Sequence, residues 1–380
     1  MKIGIITHQL KNNYGGLLQN YALQKVLESM GHEVYTINRI KGTPVNIKVL
    51  SILNRIVKTI LGENVKIRGW TTKKEDKIIS QHTRDFVQNN IKTTKEIFTT
   101  KELINIHKEY GFNAYIVGSD QVWRENAYGN DSEFLDFISN EVSVKKIAYS
   151  ASFGVDFWTF SKKRTAKYSY LAKKFNTISV REKSGIELCK NYLGVNAVLM
   201  PDPTLLLNKE DYIGLATKAN INQSNGNLFA YILDKSPGKI EIVNRISAKL
   251  SLKPFEVMPN QSFLAKLPKG QRFDINRCVY PKVESWIRGF MDAKFVITDS
   301  FHGTVFSILF NKPFISIQNS RRGATRFKSL LSLFELEERL IVKDEDLDNI
   351  IFKDIDYNKI NQIRDKLKKE AYNYLNCSLK

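Results

Sequence analysis

The chain has no uninterrupted run of about 18 apolar residues, the length that a membrane-spanning helix requires. Its first eight residues, MKIGIITH, are too few and too soon polar for a secretory signal peptide. We therefore expect a cytoplasmic protein.

Cysteine is also scarce. Cys189, Cys278 and Cys377 lie far apart and form no C-x-x-C pair. This spacing argues against a disulfide framework and against a structural zinc site. Each cysteine is predicted to be a small buried apolar side chain.

Acidic residues are few relative to basic ones: 39 Asp and Glu stand against 58 Lys and Arg, a net charge of +19. Such an excess favours a polyanion, an anionic membrane surface or a phosphorylated substrate as partner. However, the basic residues are scattered along the chain, as on an ordinary solvated surface, so the charge alone selects no partner.

The chain begins with a βαβ pattern that lacks a dinucleotide fingerprint. A strand at 2–7 is followed by a helical stripe that ends at Gly31, and a second strand covers 33–38. The loop between strand and helix has no G-x-G-x-x-G, and Asn38 stands where an acidic ribose ligand would be needed. A dinucleotide site is therefore not expected.

The most informative stretch is 295–317, which reads as strand, turn, helix and strand. Ligands of open α/β sheets bind beyond the carboxyl ends of the strands, and a helix N-terminus there favours an anion. His302 stands at that place and can exchange a proton near neutral pH. Asp299, three residues earlier, is predicted to orient its ring.

Two other predicted strands have polar side chains at their carboxyl ends. Ser119 and Asp120 follow the strand at 113–117, and Arg181 ends the strand at 177–182. Strand ends favour a site, although Asp120 could equally be a helix N-cap.

Three arginines follow the last predicted strand of this unit: Arg321, Arg322 and Arg326. Such a group can clamp a phosphate or carboxylate, and the alternative is ordinary surface charge.

A length of 380 residues favours two domains. The segment Pro201 to Thr204 carries two prolines around Asp202 and is predicted to be a rigid linker. We expect an α/β fold with domains at 1–203 and 204–380, the first interrupted by an insertion at about 41–109.

Within the insertion, residues 45–61 form an amphipathic helix that carries Lys48, Arg55 and Lys58. Such a helix can lie in a membrane interface. The interpretation favoured here is that its apolar stripe packs on this protein or on a second copy.

Five motifs together resemble the polysaccharide pyruvyl transferase family, and they span residues 1 to about 335. They are NYGGLLQNYALQ at 13–24, GSDQVW at 118–123, VREKS at 180–184, PDPT at 201–204 and TDSFHGT at 298–304.

The resemblance implies two Rossmann-like domains facing a cleft, as in GT-B glycosyltransferases, with the acceptor on the first domain and the donor on the second. It implies transfer of a pyruvyl group from phosphoenolpyruvate onto two hydroxyls of a sugar, giving a ketal. The acceptor would be a capsular or extracellular polysaccharide or its lipid-linked precursor, and contact with the inner membrane surface is an open alternative. The family's key histidine corresponds to His302, and its donor-holding arginine to Arg181.

The chemistry is compatible with these residue types. Phosphoenolpyruvate carries a phosphate and a carboxylate, which need anion-binding groups, and ketal formation needs a proton donor and a base. We expect no cofactor, no metal and no nucleic acid partner. The catalytic candidates are His302, Asp120 and Asp299. The substrate-binding candidates are Gly15, Gly16, Ser119, Arg181, Ser300, Gly303, Thr304, Arg321, Arg322 and Arg326.

The D-x-D pairs between Asp344 and Asp356 resemble metal-binding motifs of glycosyltransferases but lie in an acidic segment without a preceding apolar strand, so we interpret them as a solvated loop. Two other functions remain open. One is transfer from a nucleotide sugar on the same fold, and the other is a non-catalytic basic module that binds polyanions or membranes.

Overall fold

The structure is a computed structural model. It describes residues 1–42, 45–125, 131–268, 270–319, 323, 325–342 and 347–380, excluding the side chains of Asn46 and Asp348. Arg321, Arg322, Asp344 and Asp346 lie outside these ranges. The strands are β1 (Lys2–Ile6), β2 (Glu33–Thr36), β3 (Asn64–Val65), β4 (Ala114–Asp120), β5 (Lys145–Ala151), β6 (Thr177–Val180), β7 (Val198–Leu199), β8 (Leu228–Tyr231), β9 (Pro254–Phe255), β10 (Lys266–Leu267), β11 (Phe295–Thr298), β12 (Phe314–Ile317) and β13 (Leu340–Ile341).

The α-helices connect and cover these strands. They are α1 (Tyr14–Ser29), α2 (Val45–Ile60), α3 (Lys73–Ile79), α4 (Gln81–Asn90), α5 (Thr100–Tyr110), α6 (Lys162–Ala172), α7 (Lys183–Leu188), α8 (Lys209–Lys218), α9 (Pro237–Leu250), α10 (Val283–Asp292), α11 (Phe301–Leu309), α12 (Thr325–Leu333), α13 (Leu347–Ile351) and α14 (Tyr357–Leu379).

Two parallel sheets organise the molecule. The first has the order β2-β1-β4-β5-β6-β7, and the second has the order β13-β12-β11-β8-β9. Their central strands are apolar runs buried on both faces, as parallel sheets covered by helices require. The predicted α/β class, with two separate parallel sheets, is confirmed.

The helix α1 carries three buried amides that tie it to its surroundings. Asn20 exchanges hydrogen bonds with Thr36, and Gln24 donates to the carbonyls of Val34 and Lys92. Buried amides need such partners, so these motif residues fix the start of the first domain.

The insertion reaches the second domain. In it, β3 pairs antiparallel with β10, and the Tyr280 N–H donates to the carbonyl of Ile79 at the end of α3. The two domains are therefore joined by backbone hydrogen bonds as well as by side chains.

The last helix returns to the first sheet. Ala371, Leu375 and Leu379 of α14 pack among residues of β1, β4 and β5, and the Tyr374 hydroxyl donates to the carbonyl of Ala148. The sequence prediction had placed all residues from 204 to 380 in the second domain.

The packing of α2 contradicts one part of the favoured interpretation, that its apolar stripe packs on this protein, while packing on a second copy stays a prediction. The helix turns Arg55 inward, where its Nε donates to the carbonyl of Lys66, and leaves its apolar stripe exposed. The exposed apolar residues of this segment are Val45, Val49, Leu50, Leu53, Ile56, Val57, Ile60 and Leu61. The stripe is therefore not packed on this chain.

The cysteines also differ in part from the prediction. Cys189 and Cys278 are buried, whereas Cys377 is exposed, because it lies on the side of α14 opposite the buried Leu375 and Leu379. Within the described ranges, no helix combines the length and the apolar character needed to cross a bilayer.

Candidate active site

His302 lies in the first turn of α11, beyond the carboxyl end of β11. The Ser300 hydroxyl caps this helix by accepting from the Gly303 N–H at 3.3 Å. The apolar face of α11 packs against the second sheet, so the turn carries the imidazole toward the first domain, where it is 6% exposed.

Gly15 of α1 contacts the imidazole from the first domain. A Cβ atom at this position would lie 2.2 Å from Cγ and Nδ1 of His302. Only glycine allows this approach, so the N-terminal turns of α1 and α11 meet at the histidine ring.

Asp202 is the acidic partner of the histidine. Its Oδ2 lies 3.5 Å from His302 Nε2 and accepts hydrogen bonds from Arg181 Nη1 at 2.8 Å and from the Ser119 hydroxyl at 3.3 Å. Its Oδ1 accepts from the hydroxyl and the N–H of Thr204. The predicted linker residue is therefore fully enclosed at the junction of the domains.

Arg181 joins two carboxylates. Its Nη2 donates to Asp120 Oδ1 at 2.9 Å while Nη1 donates to Asp202. Burial opposes ionisation of Asp120, but the charges of Arg181, His8, His302 and Arg326 together outweigh it and hold the pKa of Asp120 below its usual range. For Asp202, burial is likewise outweighed by His302 and Arg181, and its pKa is also lowered. Asp120 therefore forms an ion pair and does not cap a helix.

A second guanidinium lies beside the first. Arg181 Cζ is 4.2 Å and Arg326 Cζ is 5.6 Å from the ring centroid of Phe301. Burial, followed by the charge of Arg181, lowers the pKa of Arg326 to about 10. Two buried guanidinium groups side by side favour an anion near them.

Glu182 is a buried acid that the sequence analysis missed. Its Oε1 accepts from the Ser152 hydroxyl and from the N–H groups of Phe153 and Gly154, while its Oε2 meets no hydrogen-bond donor in the described parts of the chain. Burial raises the pKa of this carboxyl. The sequence signal that could have identified Glu182 as a site residue is its position directly after Arg181.

Ser119 is held by α1. Gln19 accepts from the Ser119 N–H at 3.0 Å and donates to the Thr7 hydroxyl at 2.8 Å. Gly16 serves the helix start, since its N–H donates to the side chain of the N-cap residue Asn13. These residues position the loop that carries Asp120.

Asp299 does not orient the histidine, in contrast to the prediction. Its oxygens accept from the N–H groups of Leu233 and Asp234, from Lys239 Nζ at 2.6 Å and from Asn319 Nδ2. It ties together the ends of β8, β11 and β12. Asp202, about 100 residues away in sequence, takes the predicted place beside the ring.

Three predicted binding residues have local partners. Ser300 caps α11, and the Thr304 hydroxyl pairs with that of Ser316 at 2.6 Å. A Cβ on Gly303 would lie 2.2 Å from Thr298 Oγ1, so this glycine allows close packing of helix on strand.

Gly323, the described residue just before α12, meets the first domain. Gly323 has φ of 87°, and a Cβ there would lie 1.9 Å from the carbonyl oxygen of Gly154. Arg326 follows in α12 and lies at the site. Within the described ranges, no three His, Cys, Asp or Glu side chains converge to hold a metal ion.

Several solved structures are similar to the chain at low sequence identity. The UDP-GlcNAc 2-epimerase from Neisseria meningitidis bound to UDP-GlcNAc is 9% identical with a TM-score of 0.47, covering 100% of this chain and 99% of that chain. The S. aureus MnaA-UDP co-structure is 13% identical with a TM-score of 0.49, covering 100% and 98%. The glycosyltransferase SsfS6 of Streptomyces sp. SF2575 with thymidine diphosphate is 9% identical with a TM-score of 0.42, covering 97% and 96%. We draw no functional conclusion from these similarities.

No curated protein matches the chain. The family model described as polysaccharide pyruvyl transferase matches residues 13–321. The match contains Gly15, Asp120, Arg181, Asp202 and His302, and it confirms the resemblance found in the five motifs. The chain therefore belongs to the polysaccharide pyruvyl transferase family.

Proposed function

We propose that the protein transfers the pyruvyl group of phosphoenolpyruvate onto two hydroxyls of a sugar and releases phosphate. The observation that carries this proposal is the meeting of one imidazole and two buried guanidinium groups where the domains join. Phosphoenolpyruvate carries two or three negative charges. It therefore supplies the anion that this cluster of cationic groups favours.

We assign the donor to both guanidinium groups, those of Arg181 and Arg326. Arg181 already directs both terminal nitrogens at carboxylates, and its Nε is the nitrogen with no hydrogen-bond partner within the described ranges. We therefore assign Arg181 first to positioning Asp120 and Asp202, and only its remaining N–H groups to the donor.

The reaction balances with His302 as proton donor. A proton from the imidazolium passes to the methylene carbon of the donor, and C2 becomes electrophilic. One sugar hydroxyl adds to C2 and gives its proton to a base. The second hydroxyl then displaces phosphate and gives its proton to the departing phosphate, so that donor and diol give a ketal and inorganic phosphate.

The test follows both products. Purified protein is incubated with phosphoenolpyruvate and methyl β-galactoside or other methyl hexosides, and phosphate release and the ketal methyl signal in NMR spectra are recorded. Phosphate release that requires an acceptor, together with a ketal signal, supports the proposal. Turnover that requires a nucleotide sugar and ignores phosphoenolpyruvate would replace it by the glycosyltransferase alternative.

We also propose that the acceptor is lipid-linked and that α2 rests on an anionic membrane surface. The outward stripe of α2 is apolar, while Lys48 and Lys58 lie on the same helix and no acidic residue does. This combination matches helices that insert an apolar face among acyl chains beside anionic headgroups. The charge pattern is why we favour a bilayer over a second copy of the chain.

Vesicle sedimentation tests this assignment. Wild-type protein is expected to bind phosphatidylglycerol vesicles and to bind phosphatidylcholine vesicles far less. The double variant Leu53→Glu, Val57→Glu should lose binding, whereas Phe157→Glu, at another exposed apolar residue, should keep it. A dimer in light scattering that the double variant dissociates, without vesicle binding by the wild type, would assign the stripe to a second copy.

A further inference from the structure

A cleft of about 760 Å³ lies between the two domains, beside the site described above. One wall comes from the insertion, with Trp70 and Asp76, and the other from the second domain, with Tyr231, Phe263 and Tyr280. This volume falls within the range of about 300–1,000 Å³ that small-molecule sites occupy. The cleft is therefore large enough for a substrate beyond the small donor.

The charges of the cleft are unsuited to an anion. Of the residues that line its described part, none is Lys or Arg, and two are acidic, Asp76 and Asp234. Asp76 is paired with Lys11 and Arg84. An anionic donor is thus disfavoured here relative to the arginine pair, while a neutral polar ligand meets no opposing charge.

Gln261 is the unusual residue of this cleft. It is 8% exposed, its backbone is fixed by a hydrogen bond from its N–H to the carbonyl of Arg277, and it lines the cleft. Neither its Oε1 nor its Nε2 has a hydrogen-bond partner among the residues that the structure describes. Buried amides are ordinarily satisfied, so a buried amide without a partner in the wall of a cleft indicates a ligand.

The lining suits a sugar. An amide offers both donors and an acceptor, which neighbouring hydroxyl groups can satisfy at once. The aromatic side chains of Trp70, Phe263 and Tyr280 offer flat apolar surfaces against which the C–H face of a pyranose can pack. A few polar groups among aromatic walls are typical of specific small-molecule sites.

On each side of the cleft, one lining residue is connected to the residues around the histidine. Asn13 lines the cleft and is the N-cap of α1, two residues before the Gly15 that contacts His302. Asp234 lines the opposite side, and its N–H donates to Asp299, which precedes α11. The cleft therefore borders elements that also carry the histidine site.

We propose that this cleft binds the acceptor saccharide and that the Gln261 amide recognises its hydroxyl groups. The proposal rests on the proposed function, because it assigns the second substrate of that reaction. It places the acceptor across both domains, with the insertion as one wall.

Saccharide binding without the donor tests the cleft by itself. Methyl glycosides of glucose, galactose, mannose and N-acetylglucosamine are titrated against wild type, Gln261→Ala and Gln223→Ala by ligand-observed NMR. Gln223 is an exposed glutamine outside the cleft and serves as the matched control. We expect at least one glycoside to bind the wild type and Gln223→Ala alike, and Gln261→Ala to bind it about three- to tenfold more weakly. Thermal unfolding should be unchanged, since the amide has no partner to lose among the described residues.

The outcomes separate this proposal from the proposed function. No binding by the wild type, or equal binding by Gln261→Ala, overturns the cleft assignment. If phosphate release from phosphoenolpyruvate then still requires a saccharide, the function stands and the acceptor binds elsewhere. If glycosides bind and Gln261→Ala weakens them while phosphoenolpyruvate is not consumed, the saccharide site stands and the pyruvyl transfer fails.

Discussion

The Nε2 atom of His302 lies 3.5 Å from Oδ2 of Asp202, and this contact joins the two sheets. The histidine comes from the helix after β11, and the aspartate from the segment after β7. The same carboxylate binds Arg181. The site is therefore complete only when the two domains are packed together.

Replacement of His302 by Gln should lower turnover by about two to four orders of magnitude, because the proton donor of the proposed reaction is lost. Phosphate release from phosphoenolpyruvate in the presence of acceptor measures this. His32→Gln is the control, since His32 lies at the amino end of β2, an edge strand of the first sheet, whereas the site lies beyond the carboxyl ends of the strands. A folded His302→Gln variant that keeps more than about a tenth of wild-type turnover lies outside this range and removes the catalytic assignment.

Gly15→Ala should lower turnover by about a hundredfold, because displacing a reacting group by about 1 Å can have an effect of this size. The new methyl group would lie 2.2 Å from the imidazole, which must then move. Gly214→Ala is the matched control, since a Cβ there meets no atom within 4 Å. Equal activity of both variants in the phosphate assay would show that the ring position is unimportant.

Arg181→Met should lower the free energy of unfolding by about 3–5 kcal/mol, because it leaves Asp120 and Asp202 buried without their cation. Urea unfolding at pH 7 measures the change. The triple variant that also carries Asp120→Asn and Asp202→Asn should recover part of the loss, since no uncompensated carboxylate remains. A single variant as stable as the wild type contradicts the buried ion-pair network.

The stability of the protein should fall as the pH drops below about 4. Asp120 and Asp202 have lowered pKa values in the folded state, whereas an unfolded aspartate titrates near about 3.9. The unfolded state therefore takes up protons first, and the stabilisation present above about pH 4 is lost as the pH falls through the folded pKa values. Urea unfolding between pH 7 and pH 3 should show a shallower decline for Asp202→Asn. If the free energy of unfolding depends on pH equally in the variant and the wild type, Asp202 is excluded as a source of the decline.

Local patterns in the sequence were enough to place several site residues. The apolar run of β11, the break at residues 299–303 and the helical spacing that follows predicted where His302 lies, because strands and helices have distinct periods of burial. The same reasoning placed Arg181 at the end of β6 and Asp120 at the end of β4. These predictions rest on the pattern of apolar and polar residues within each segment, which reflects how that segment itself is buried.

The sequence could not indicate which partners the charged groups would choose. Asp299 was expected beside His302 because it is near in the chain, yet its oxygens take donors from the ends of β8 and β12. Asp202 was interpreted as part of a linker. Its place between Arg181 and His302 arises from the packing of one domain on the other, which no local spacing records.

The amphipathic helix α2 also shows which features the sequence determines and which only the tertiary structure decides. Its apolar and polar stripes follow from the sequence, because residues at helical spacing share a face whatever surrounds them. Which stripe is buried was decided by the tertiary structure: the Arg55 side chain turns inward to the carbonyl of Lys66, and Leu53 and Val57 are left exposed. A periodic pattern specifies that a helix has two faces, but only the neighbouring surface determines which face it covers.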